Sequence, residues 1–153
     1  MDGLQVVFFD IGDTLAVAHL AAGRLVSLDP MPGVVQALAD LREAGYRLGI
    51  ISNTGQETAD SMRRTLTEAG LFGFFSGEPA LLLYSSVVHM TKDSPEIFRL
   101  ACGRAGLADA PRRCMFVGDD EQERGFAAAA GLAVAATVRD AVQRLIPPAS
   151  AGP

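Results

Sequence analysis

The sequence predicts an α/β fold: one mainly parallel sheet of five strands with helices on both faces. Three observations carry that expectation. Apolar runs of strand length alternate along the chain with segments of helical periodicity. Glycine or proline punctuates the junctions. The strands are apolar throughout rather than alternating, as strands covered on both faces are. Strict β/α alternation implies parallel pairing with right-handed crossovers.

Leu4 to Phe9 (LQVVFF), rich in Val and Phe, reads as the first buried strand. Residues 16 to 29 suit a hairpin turning near Ala22-Gly23 and are too few for a domain. Pro32 suits the first turn of a helix on which Val34, Val35, Leu38 and Leu41 recur at helical spacing, with Gly45 as its stop. Tyr46 to Ile51 is the second strand, 55 to 69 a helix closed by Gly70, and Ala80 to Tyr84 the third strand. Asp93-Ser94-Pro95-Glu96 supplies a capping residue, a proline and an early acid for a helix that runs to about Ala105. Cys114 to Val117 is the fourth strand, 121 to 130 an Ala-rich helix, Leu132 to Thr137 the fifth strand and Val138 to Ile146 the last helix. Residues 1–146 are thus expected to form a single core domain, and 147–153 (PPASAGP) a disordered tail.

Composition bounds the function. The longest apolar run, Phe126 to Ala136, has eleven residues, against about 20 for a membrane span. A basic, apolar leader is not visible at the N-terminus. The net charge of −5 and the lack of a basic stripe argue against nucleic acid and anionic membranes as partners. Cys102 and Cys114 fit neither a zinc spacing nor a disulfide framework; they read as buried small hydrophobes in a cytoplasmic protein. The basic residues are twelve arginines and one lysine, Lys92, and the chain has one asparagine, Asn53.

In parallel α/β sheets the ligand sits beyond the carboxyl ends of the strands. Those ends here read Asp10-Ile11-Gly12-Asp13-Thr14-Leu15, Ser52-Asn53-Thr54, Thr91-Lys92-Asp93-Ser94-Pro95 shortly after the third strand, and Gly118-Asp119-Asp120. Converging carboxylates without His or Cys favour a hard cation such as Mg²⁺. A hydroxyl, a lysine and helix N-termini suit a phosphate. A carboxylate facing both can be a nucleophile that forms an aspartyl-phosphate. A chain that otherwise uses arginine has kept one compact ammonium, a different tool from a planar guanidinium. His19 and His89 have no metal partners in sequence and read as polar loop residues, with His19 a substrate-contact candidate.

These residues resemble the haloacid dehalogenase (HAD) superfamily of phosphohydrolases from Val6 to about Ala136. D-I-G-D-T-L is similar to its first motif D-x-D-x-T-L. G-I-I-S-N resembles its second, K-D-S-P-E-I-F its third and G-D-D-E-Q-E its fourth, in the family's order. The resemblance implies a Rossmann-like, HAD-type three-layer α/β/α sandwich. It also implies that Asp10 is the nucleophile and a Mg²⁺ ligand, and that the Gly12 carbonyl and Asp119 are further ligands. Ser52 and Asn53 would hold phosphate oxygens, and Lys92 would neutralise the phosphate and orient Asp10. Glu123, in competition with Asp120 and Glu121, would support the metal or Lys92.

Two departures from the family stand out. Gly12 occupies the position of the usual second Asp, which protonates the leaving group and activates water. Asp13, one residue on, is the candidate replacement. The second departure is the cap: neither insertion point has room for one, so the chain resembles the capless branch, whose open site suits a large or self-closing substrate. The expected function is therefore a Mg²⁺-dependent phosphatase acting through Asp10 on a phosphorylated small molecule or macromolecule. The rival is a catalytically impaired relative that binds metal and phosphate or a partner. A nucleotide-binding or phosphoacceptor signalling module fits less well, since no glycine-rich phosphate loop follows a strand.

Overall fold

The computed structural model describes residues 3–147. The tail expected at 147–153 therefore falls, beyond Pro147, outside the described residues. In chain order the elements begin with β1 (Val6–Phe9), the hairpin strands β2 (Ala16–Ala21) and β3 (Arg24–Pro30), α1 (Val34–Glu43), β4 (Arg47–Ser52) and α2 (Ala59–Glu68). They continue with β5 (Leu82–Tyr84), α3 (Ser85–Val88), α4 (Glu96–Arg104), β6 (Cys114–Val117), α5 (Glu121–Ala129), β7 (Ala133–Ala135) and α6 (Val138–Leu145). Five strands form one parallel sheet in the order β5-β4-β1-β6-β7, and β2-β3 is a separate antiparallel pair. The α/β/α sandwich expected from the alternation is the architecture found.

β1 is central because it is flanked by β4 on one side and β6 on the other, and all four of its residues are buried. The side-chain period of two splits them between the layers. Val7 and Phe9 join Leu38 and Leu41 of α1 and Met62 and Leu66 of α2. Val6 and Phe8 join Ile97 and Phe98 of α4 and Ala127 of α5. Each of these buried Val, Leu, Ile, Phe and Met side chains stabilises the fold by about 1.5–3 kcal/mol relative to exposure. The chain leaves β1 toward β4 and later returns to β6, so the strand order reverses between β1 and β6. That switch point is where a crevice opens at the carboxyl ends of parallel strands.

Boundaries moved where side chains overrode the pattern. α2 starts at Ala59, not 55, because Thr58 and Ser61 build a reciprocal capping box there. α4 starts at Glu96 behind Pro95, and Asp93 accepts instead from the Thr91 hydroxyl. β5 is shortened by a 3₁₀ turn at Pro79–Leu81, and the short helix α3 was not anticipated. The hairpin turns at Ala22-Gly23 as expected, with φ of 52° and 77° at the two turn residues. No helix among the described residues is long and apolar enough to cross a membrane.

Candidate active site

Asp10 is the first residue after β1, and its amide still donates to the Val117 carbonyl of β6 at 2.9 Å. Its position is held from both strands. A Cβ on Gly118 would meet the Phe116 ring at 2.7 Å and lie 3.5 Å from the Asp10 Cβ, so glycine there allows the ends of β1 and β6 to close together. Asp10 is buried. Its Oδ1 accepts from the Ile11 amide at 2.8 Å and from Lys92 Nζ at 2.6 Å. Burial pushes the Asp10 carboxyl above its ordinary value, Lys92 and the Ile11 amide pull it back, and the charge of Asp119 adds to the rise.

Lys92 is 3% exposed. Besides Asp10 it meets Glu123 Oε1 at 2.7 Å, a charge contact in which that oxygen finds no aligned donor. Burial raises the Glu123 carboxyl and Lys92 opposes the rise. The Asn53 side-chain oxygen accepts from the Lys92 amide at 3.0 Å. The chain's one asparagine thus fixes the backbone of its one lysine. Of the three acids proposed for the fourth motif, Asp120 caps α5 by accepting from the Glu123 amide at 3.0 Å, Glu121 is exposed, and Glu123 reaches the lysine.

A cavity of about 350 Å³ opens over this group, and Asp10, Gly12, Ser52, Asn53, Lys92 and Glu123 line it. Ser52 is buried at the end of β4. The loop that follows is tied to α3: the Thr54 amide donates to Ser85 Oγ at 2.8 Å, and the Thr54 and Ser86 hydroxyls lie 2.6 Å apart. Arg124 donates to the Gly118 carbonyl at 2.9 Å and steadies the loop after β6. Neither tie has a signal in the sequence, since each partner is unremarkable alone.

Two predicted site residues stand apart from the cavity wall. Asp13 is exposed, adopts a left-handed backbone (φ 59°) and is not among the lining residues. Its amide donates to the Ala16 carbonyl in the tight loop that turns β1 into the hairpin. Asp119 is exposed at the end of β6 and also lies outside the lining set. His19, considered as a substrate contact, sits on β2 with Nε2 2.7 Å from Asp29 across the hairpin, away from the lining. Among the described residues no three His, Cys, Asp or Glu side chains cluster tightly enough to hold a metal ion by themselves. The donors that the family's motifs imply are the Asp10 and Asp119 carboxylates and the Gly12 carbonyl. An all-oxygen set with two carboxylates fits a cation that retains several waters, as Mg²⁺ does.

The hairpin forms the opposite wall, and a residue that sequence reading passed over anchors it. Glu57, buried just before α2, accepts from Arg24 Nε at 2.9 Å, the Leu25 amide at 2.9 Å and Ser61 Oγ at 2.9 Å. The Arg24 and Leu25 bonds, led by the Arg24 guanidinium, hold the Glu57 carboxyl down at about 2. A lowered carboxyl stabilises the fold fully above its ordinary value of 4.5, and the gain is lost as pH falls from there through about 2. Urea titrations across that range are expected to show wild type losing stability relative to Glu57→Gln. Parallel pH profiles would contradict the clamp. Nothing in the sequence marks Glu57, because Arg24 lies 33 residues away.

The family model for haloacid dehalogenase-like hydrolases matches residues 9–131. No curated protein matches the chain. Among solved structures, an uncharacterized protein from Listeria monocytogenes serotype 4b is similar with a TM-score of 0.76 at 17% identity, over 94% of this chain and 97% of its own. A HAD-superfamily hydrolase from Geobacter sulfurreducens is similar with a TM-score of 0.65 at 19% identity, over 86% of this chain and 88% of that one. A predicted phosphoglycolate phosphatase from Haemophilus somnus is 30% identical with a TM-score of 0.57, over 70% of this chain and 43% of that chain. With the family's motifs gathered at the ends of β1, β4 and β6 and its model spanning most of the length, the chain belongs to the haloacid dehalogenase-like hydrolases.

Proposed function

We propose that the chain is a Mg²⁺-dependent phosphatase that acts through an aspartyl-phosphate on Asp10. The observation that carries this reading is the buried Asp10–Lys92 pair, backed by the half-buried Glu123, at the β1/β6 switch point. Asp10, held by Lys92 and the Ile11 amide, attacks phosphorus with its carboxylate oxygen, and the bond from phosphorus to the leaving oxygen breaks. Lys92 offsets the charge on the transferring oxygens, while Ser52 and the loop after it receive them. Water then attacks the phosphorus, the bond to Asp10 breaks, phosphate departs and the carboxylate is restored. Mg²⁺, held by Asp10, Asp119 and the Gly12 carbonyl, would supply further positive charge to the phosphoryl oxygens. Glu123 keeps Lys92 in place from behind. The hairpin stands in place of a cap domain, so the substrate itself completes closure over an open, capless site. A phosphorylated small molecule or macromolecule fills this role, in a core of residues 1–146. The net charge of −5 disfavours nucleic acid, and two free buried cysteines accord with the cytoplasm.

Gly12 favours a second reading, an impaired relative that binds phosphate without useful turnover. Without an acid/base at this position, the leaving oxygen takes its proton from solvent and water attacks unassisted. Such a group contributes about 10²–10⁴-fold. A Cβ on Gly12 would meet nothing within 4 Å, so the backbone there leaves room for a side chain to start. Hydrolysis of an aryl phosphate with and without Mg²⁺ separates the readings. Slow, Mg²⁺-dependent wild-type turnover, raised about 10²-fold or more by Gly12→Asp, supports the phosphatase. A dead wild type awakened by Gly12→Asp supports the impaired relative. A loss of about 10²-fold in Asp13→Ala would assign the acid/base role to Asp13.

A further inference from the structure

The wall facing Asp10 is apolar, and a defect in the hairpin makes it so. β2 and β3 pair Ala18 with Leu28 and His19 with Ser27, but then Leu20 with Leu25 and Ala21 with Arg24. The pairing skips Val26, which bulges out and is 57% exposed. A bulge of one residue returns the next side chain to the face it would otherwise leave. Leu25 therefore lines the cavity together with Leu28, Ala18 and Leu20, while His19 and Ser27 do not. Met62 of α2 extends the same wall.

The wall also lacks a partner for a second anion. Lys92 is the one cationic side chain among the lining residues, and it already meets two carboxylates. Glu57 lines the cavity too, but the bonds described above take up its oxygens, so it offers a carboxylate rather than a cation. A substrate carrying a carboxylate or second phosphate beside the reacting phosphoryl group would place that charge against leucine and methionine, with nothing to replace its water.

We propose that the bulged hairpin is a leaving-group subsite that selects phosphate monoesters of small, uncharged, apolar alcohols or phenols. The proposal rests on the phosphatase reading above and narrows its substrate. An apolar leaving group fills the space between Leu25, Leu28 and Met62 and excludes water from Asp10. In a site without a cap, this is how the substrate itself closes the cavity.

Phosphonates test this without turnover. Calorimetric titration of the full chain with Mg²⁺ is expected to find benzylphosphonate bound about tenfold or more tighter than phosphonoacetate, from burial of the ring against the leucines. Leu20→Arg, at a position 67% exposed and so tolerant of change, is expected to reverse the preference. Equal or tighter binding of phosphonoacetate by wild type overturns the subsite, as does failure to bind either compound. Selective binding without hydrolysis of any ester supports the subsite and overturns the phosphatase reading. Hydrolysis of benzyl phosphate and phosphoglycolate at equal kcat/KM overturns the subsite and leaves that reading standing.

Discussion

Asp10→Asn is expected to lower Mg²⁺-dependent hydrolysis of an aryl phosphate by about 10⁴-fold or more, because it removes the attacking oxygen rather than a supporting contact. The fold should survive. The asparagine carbonyl can still accept from the Ile11 amide and from Lys92, the two donors that hold Asp10 now. The exchange also removes a buried charge whose ionisation the site already opposes through burial. Urea midpoints equal to or above wild type, with activity gone, are the expected pair of results. Activity within tenfold of wild type would remove Asp10 from the chemistry.

Lys92→Met is expected to cost both activity and stability. The ammonium meets Asp10 at 2.6 Å and Glu123 at 2.7 Å and is the one cation between them. Its loss leaves the buried Asp10 carboxylate and the half-buried Glu123 carboxylate facing a shared space. Breaking a buried pair on one side typically costs about 3–5 kcal/mol, because the remaining charge has no partner. Adding Glu123→Gln to Lys92→Met should recover part of that stability by removing one of the stranded charges, and recover none of the rate. The rate should fall about 10²–10³-fold, the cost of removing one preorganised donor to the developing charge. Lys92→Arg should not restore it, since a longer, planar guanidinium in this buried position cannot place its charge where the compact ammonium meets Asp10 and Glu123 at 2.6 and 2.7 Å. A stability unchanged in urea would show that the array is an exposed, solvated cluster instead.

The sheet was legible because its strands are short, apolar and regularly spaced, so that period and punctuation coincide at Cys114–Val117 and the hairpin turn. Helix starts were less legible. At α2 the pattern alone extends back to 55, and only the Thr58–Ser61 box, a matter of side-chain geometry, stops it at Ala59. Strand ends bring Asp10 and Ser52 to one cavity because the parallel topology places them there, and Lys92 enters it from the loop between α3 and α4. What no local pattern carried was pairing at a distance: Glu57 with Arg24, Thr54 with Ser85, Arg124 with the Gly118 carbonyl. The bulge at Val26 was hidden for the same reason, since register depends on the partner strand. Asn53 lines the cavity and also holds the Lys92 backbone; the rarity of both residues points to the site but not to their bond.

In the proposed mechanism Asp10 carries the phosphoryl group. Wild-type protein mixed with Mg²⁺ and an aryl phosphate, quenched in acid after one turnover, can be digested and its Asp10 peptide weighed by mass spectrometry. Gly12 leaves the second step without a base, so the intermediate is expected to accumulate, with a burst of released phenol ahead of a slow steady state. A phosphoryl group on Asp10, absent in Asp10→Asn, is the predicted result. Steady hydrolysis with Asp10 unmodified throughout, or with the phosphoryl group on another residue, would contradict it.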